Sequence, residues 1–174
     1  MPEATSRRGF VSRLARVAGV SAAVLPLIDG TPAALAKGDE TDLEILSASL
    51  MLEHHAIALY GHGLQRGYFS RGLRDYALEF RGDHQGHRDT QVAIAYERGG
   101  RAPEPLRDYD LGHPAPGPAF VEQALEIERA AQRAYSALVS HIATRDYLLS
   151  AAFILIDEVR HITVWRRVLG IKIY

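Results

Sequence analysis

The chain has 174 residues, 47% of them hydrophobic and 24% charged, and a formal net charge of −1. This is enough for one domain with a genuine core, and no run of like charge marks a nucleic-acid surface. The absence of cysteine excludes disulfides, thiolate metal sites and iron–sulfur clusters, so any metal must be held by nitrogen and oxygen donors.

In chain order, the first element is a leader rather than part of the fold. Ser6-Arg7-Arg8-Gly9-Phe10-Val11 matches the twin-arginine export pattern, and a mildly apolar stretch follows from Val17 to Ile28. That stretch is too short for a permanent span, which needs about 20 apolar residues. Ala34-Leu35-Ala36 fits a small-x-small cleavage site. Residues 1–36 are therefore expected to be a signal peptide read by the twin-arginine machinery. Residues 37–174 would form the mature domain, periplasmic or extracellular after cleavage near Ala36.

Four helices follow from the 3.5–3.6 periodicity. The first is expected from about Thr41 to Leu64, with Gly61, Gly63 and Gly67 at its exit. The second runs from about Ser70 to Arg98 and stops at Gly99-Gly100. The third starts near Pro118, a favourable first-turn residue, and continues to about Ala143. The fourth covers about Asp146 to Leu169, with Gly170 as its stop. Between the second and third, residues 99–117 contain Pro103, Pro105, Pro114 and Pro116 and cannot be helical. At about 3.3 Å per residue this linker reaches roughly 60 Å, whereas a 25-residue helix is only about 37 Å long. It can recross the whole bundle. The other two connections are short and imply antiparallel neighbours, so the fold class is all-α: two antiparallel hairpins joined by one long crossover.

Each helix has an apolar seam in alternating steps of three and four. The seams are Leu43, Leu46, Leu50, Glu53, Ile57, Tyr60, Leu64; then Leu73, Ala77, Phe80, His84, His87, Gln91, Ile94. The third is Val121, Leu125, Glu128, Gln132, Tyr135, Val139, Ile142, and the fourth Tyr147, Ala151, Ile154, Glu158, His161, Trp165, Val168. Glu53, His84, His87, Glu128, Glu158 and His161 interrupt these stripes near their middles. Isolated charges there cost several kcal/mol unless they are paired or bind metal, so six at one level point to a metal centre.

The two hairpins also repeat. Glu53 precedes Tyr60, and Glu128 precedes Tyr135, by the same two helical turns, and each hairpin then supplies a two-ligand helix. His84-Gln85-Gly86-His87 and Glu158-Val159-Arg160-His161 place donors at i and i+3, on one helix face. This describes two copies of one half-site. Tyr60 and Tyr135 read first as packing residues, with a hydrogen bond to a ligating carboxylate as a further role. Trp165 reads as core. His54, His55, His62, His113 and His141 lie off the seams and read as surface groups. Gly82 and Gly86 are expected to let the facing helix or a small oxidant approach closely.

Together these features, over about residues 41–170, resemble the ferritin-like di-metal carboxylate four-helix bundles. There, one Glu comes from each of two helices and Glu-x-x-His from each of the other two. His84 departs from that pattern, because the family places glutamate at the corresponding position. It lowers the negative charge of the centre by one and cannot bridge as a carboxylate does, and is expected to weaken the second metal position, favour a mononuclear site, or shift the preference toward zinc or copper. Asp83, one position off the seam, is an i,i+4 neighbour of His87. The resemblance implies one or two transition-metal ions, iron or manganese first and zinc or copper after them. It also implies oxygen or peroxide chemistry of ferroxidase, peroxidase or catalase type. Two other readings stand beside it: a non-catalytic metal-binding or stress-protective bundle, and a scaffold with an empty site.

Overall fold

The computed structural model describes residues 37–173, so the expected signal peptide at residues 1–36 lies outside the described residues. Four helices account for the fold: α1 (Lys37–Arg66), α2 (Arg71–Glu97), α3 (Pro118–Leu138) and α4 (Arg145–Val168). No strand occurs among the described residues. α1 packs chiefly on α2 and α3 chiefly on α4, with lighter α1–α3 and α2–α4 contacts closing the square. The expected all-α bundle of two hairpins and one crossover is what forms. No described helix is long and apolar enough to cross a membrane.

The ends differ from expectation in two places. α1 begins a turn earlier than Thr41, at Lys37. α3 stops at Leu138 rather than near Ala143. The reason lies across the bundle, where the buried Asp42 carboxylate accepts the backbone N–H groups of Ala143 (3.0 Å) and Thr144 (2.8 Å). Those amides are therefore taken out of α3, and the chain turns into α4 at Thr144. Strict three–four alternation also drifts against a straight helix of 3.6 residues per turn. Gln132 thus leaves the seam and bonds Ser136, while Ala131 takes the buried place.

The crossover, residues 99–117, lies against α1. His54 is buried beneath it, with a ring nitrogen 3.3 Å from the Pro103 carbonyl, and His55 stacks on Tyr109. His54 is thus no surface group, because α1's outer face is covered by a segment whose path no helical periodicity encodes. α2 and α4 keep bare outer faces. Gly82 and Gly86 belong to the bare face of α2, where an added Cβ would meet open space. The facing helix does not use them.

Gly63 is the glycine that packing requires. A Cβ there would overlap the buried Phe120 ring and stand 2.8 Å from Phe69. Alanine normally gains about 1 kcal/mol over glycine in a helix. Here the neighbours are two buried rings rather than flexible chain ends, and overpacking costs typically 1–3 kcal/mol. Gly63→Ala is therefore expected to lower the melting temperature by a few degrees, while Gly82→Ala raises it, both read by thermal denaturation.

The core divides into two clusters. One holds Leu43, Leu46, Leu50, Tyr135, Leu138, Tyr147 and Ile154. The other holds Leu59, Tyr60, Phe69, Phe80, Phe120, Leu125 and Trp165. Between them lies one layer of charged side chains.

Candidate metal centre

All six expected residues are buried and meet in that layer: Glu53 from α1, His84 and His87 from α2, Glu128 from α3, Glu158 and His161 from α4. They form two overlapping groups. Glu53, His84, His87 and Glu158 make one, and His84, Glu128, Glu158 and His161 the other. Within each, the candidate donor atoms lie within 4.8 Å of one another. Each half thus has its own glutamate and histidine, and the halves share His84 and Glu158.

His84 spans the two halves. Its Nδ1 is 2.8 Å from Glu53 Oε2 and its Nε2 is 3.3 Å from Glu128 Oε2. With a carboxylate facing each ring nitrogen, both nitrogens donate, and the ring is an imidazolium in the metal-free chain. Burial opposes that charge, but Glu128, Glu158 and Glu53 outweigh it and hold the His84 pKa well above the ordinary value. The two His84 nitrogens span the gap between Glu53 and Glu128.

Glu158 is the opposite case. Neither carboxyl oxygen has a hydrogen-bond partner, although both are buried, and Oε1 stands 3.7 Å from both His84 Nδ1 and His87 Nδ1. Burial raises its pKa well above the usual carboxylate range; the charge of His84 opposes the shift, and the charges of Glu128 and Glu53 reinforce it. Glu53 and Glu128 go the other way. Burial works against their ionisation too, but His84 and His87 bring Glu53 down to about 2, and His84 and His161 hold Glu128 well below its ordinary value. Burial also opposes the charged His87 ring, and Glu53 and Asp157 outweigh it, raising its pKa.

The remaining polar contacts fix orientation. The His161 ring is held between Asp83 Oδ2, 3.1 Å from its Nε2, and Glu128 Oε2, 3.2 Å from its Nδ1. His87 Nε2–H donates to Asp157 Oδ2 (3.3 Å), and its Nδ1 faces the centre without a hydrogen bond, 3.6 Å from Glu53 Oε2 and 3.7 Å from Glu158 Oε1. An imidazole held by a carboxylate on its far nitrogen is the usual arrangement of a metal-ligating histidine. The pairing is crosswise, because Asp83 of α2 serves the histidine of α4 and Asp157 of α4 serves that of α2. Asp83 therefore does not turn toward His87 on its own helix. The tyrosines cross over as well. Tyr60 donates to Glu128 and Tyr135 to Glu53, so the tyrosines hold carboxylates as well as pack.

Further residues belong to this set: Trp165, Gln91 and Tyr147, which periodicity placed on the seams without a role, and Ser49, which it left off them. Trp165 Nε1–H donates to Tyr60 Oη (2.7 Å), and Gln91 Nε2–H donates to Tyr135 Oη (2.7 Å). Ser49 in turn donates to Gln91 Oε1 (2.5 Å) and lies 3.0 Å from Tyr147 Oη. Asp157 did carry a sequence signal. Asp83-His84-x-x-His87 and Asp157-Glu158-x-x-His161 repeat the same aspartate one residue before the first donor.

The centre fits a cation. Two buried carboxyl oxygens and one buried imidazole nitrogen lack partners at the point where two donor groups converge, and an all-nitrogen-and-oxygen donor set suits first-row transition metals. Known proteins agree with this fold. Among solved structures, a conserved hypothetical protein, rv2844, from Mycobacterium tuberculosis aligns with a TM-score of 0.72 at 25% identity, covering 77% of this chain and 94% of that one. A structure described as ferritin like, diiron-carboxylate proteins from Bacillus anthracis str. Ames aligns with a TM-score of 0.68 at 20% identity, covering 78% and 99%. Among curated proteins none matches the chain. The family model for the ferritin-like domain matches residues 41–171, most of the chain; the protein therefore belongs to the ferritin-like domain family.

Proposed function

We propose that this is an exported ferritin-like protein that binds one or two transition-metal ions in its core and uses them in oxygen, peroxide or Fe(II) redox chemistry. The observation that carries the reading is the pair of unpartnered Glu158 oxygens between two donor groups. Glu53 and His87 would hold one ion and Glu128 and His161 the other, with Glu158 and His84 between them. Bound iron or manganese would supply the electron-transfer and Lewis-acid chemistry. The chain's own contributions are specific. Asp83 and Asp157 fix the histidine rings, and Tyr60 and Tyr135 each hold one oxygen of a glutamate. Asp157 is partly exposed, so small oxidants and protons would approach at the His87–Asp157 edge. Without cysteine the chain has no iron–sulfur relay of its own, which favours a substrate that brings its own electrons. Export rests on Arg7, Arg8, Phe10 and Ala36 in the sequence, since the twin-arginine route carries folded proteins with cofactors in place.

A second reading has its own support. The His84 imidazolium already sits between Glu53 and Glu128, so the layer can neutralise itself without metal. A non-catalytic binder or a protective scaffold would use it in that form. Metal titration separates these readings. Wild type is expected to take up Mn(II) or Fe(II) stoichiometrically and to consume peroxide or oxidise Fe(II). Glu128→Ala and His161→Ala should cut occupancy in elemental analysis while helix content by circular dichroism stays unchanged. Full occupancy in both variants sinks the site. Occupancy without turnover leaves the binder.

A further inference from the structure

The outer face of α4 has an apolar strip that the fold does not use. Phe153 is 67% exposed, Ile156 63%, Val159 48% and Leu149 47%. Side chains of this size at such exposure amount to on the order of 400 Å² of apolar surface, the scale at which a contiguous patch marks an interaction site. α1 shows no comparable face because the crossover covers it.

The strip has a defined order. Asp146, Leu149, Phe153, Ile156 and Arg160 follow one another in steps of three, four, three and four, the spacing of a helix–helix seam. The order is also complementary to its own reverse. Phe153 is the centre, Leu149 and Ile156 flank it, and an acid and a base stand one heptad away on opposite sides. If the strip is laid antiparallel on a copy of itself about an axis at Phe153, Leu149 meets Ile156 and Asp146 meets Arg160, each twice. A twofold interface requires such self-complementarity. Asp146 is exposed, and Arg160 is half exposed although its Nη2 also touches Asp83 and Glu79 of its own chain.

We propose that α4 is the contact helix of a homodimer, packed antiparallel on α4 of a second copy through Leu149, Phe153 and Ile156. The apolar strip forms the centre, and the Asp146–Arg160 pairs set the register. Together with flanking residues this approaches the roughly 800 Å² per partner of a standard interface. Because Glu158 and His161 project from the opposite face of the same helix, the two buried layers of a dimer stand back to back across this contact. The proposal is independent of whether the layer binds metal.

The full chain should sediment as a dimer at micromolar concentration. Phe153→Glu places like charges against each other on the axis, and should weaken the dimer by about a hundredfold. Helix content should be unchanged, because Phe153 contributes little to its own core. The absence of native cysteine gives a second arm. Phe153→Cys should form a disulfide-linked dimer on mild oxidation, whereas Glu126→Cys, exposed on α3, should not. A monomeric wild type, a Phe153→Glu chain that still dimerises, or equal cross-linking at both positions overturns the proposal. So does a monomer that instead binds anionic lipid vesicles through this face.

Discussion

Glu158→Leu is expected to make the metal-free protein more stable while abolishing metal binding, and Glu53→Leu is expected to destabilise it severely. The two residues have the same chemistry and the same burial, and both belong to the donor layer. Their surroundings set opposite signs. Glu158 has two buried oxygens without hydrogen bonds, and burial raises its pKa and opposes its ionisation. A buried polar group left unsatisfied costs about 1–3 kcal/mol, and leucine fills nearly the same space without that cost. Glu53 is ionised and holds His84 and Tyr135. Removing it takes one of the two carboxylates from His84 and the acceptor from Tyr135, and breaking a buried pair in this way typically costs about 3–5 kcal/mol. Glu158 belongs to both donor groups, so its loss should empty both halves, where loss of Glu53 or Glu128 should spare the other half. Thermal unfolding of the metal-free variants, followed by titration with Mn(II), tests the pair. If Glu158→Leu melts below wild type, or binds metal in wild-type amount, Glu158 is a structural carboxyl.

Much of this centre was legible in the sequence because helical bundles make a simple demand: seam positions are apolar unless something stabilises a charge there. Six exceptions at matching depths were enough to find the layer, and the linker length was enough to give the crossover. What periodicity could not supply was anything set by contacts between helices. The crosswise pairing of Asp83 with His161 and of Asp157 with His87 depends on α2 and α4 lying antiparallel side by side. Gln91 sat on the seam and was read only as part of it. Its use emerges from Ser49 and Tyr135 arriving from α1 and α3. His54 was misplaced for the same reason, since the proline-rich crossover that buries it has no period to read. The early end of α3 traces to Asp42, a side chain roughly a hundred residues away.

The stability of the protein should depend on pH in opposite directions with and without metal. In the metal-free chain, His84 and His87 have raised pKa values. Their contribution is complete below the unfolded value near 6.5 and is lost as pH rises through the folded values. Glu158, also raised, acts in the same direction, because its buried neutral form is lost on the alkaline side. Glu53, lowered to about 2, and Glu128, lowered as well, contribute above the ordinary carboxylate value of 4.5 and lose that contribution as pH falls toward their folded values. The metal-free chain should therefore be most stable in mildly acid to neutral solution and weaken in alkali. A metal ion needs the inward nitrogens unprotonated and Glu158 ionised, so binding expels protons and strengthens with pH. At a thousandfold excess over the dissociation constant, linkage adds about 4 kcal/mol, or on the order of 10 °C for a domain of this size. Melting curves from pH 4 to 9, with and without Mn(II), should coincide in acid and separate steadily in alkali. Parallel curves across that range would mean that the six residues form an internally neutralised polar layer and that metal, if it binds, binds elsewhere.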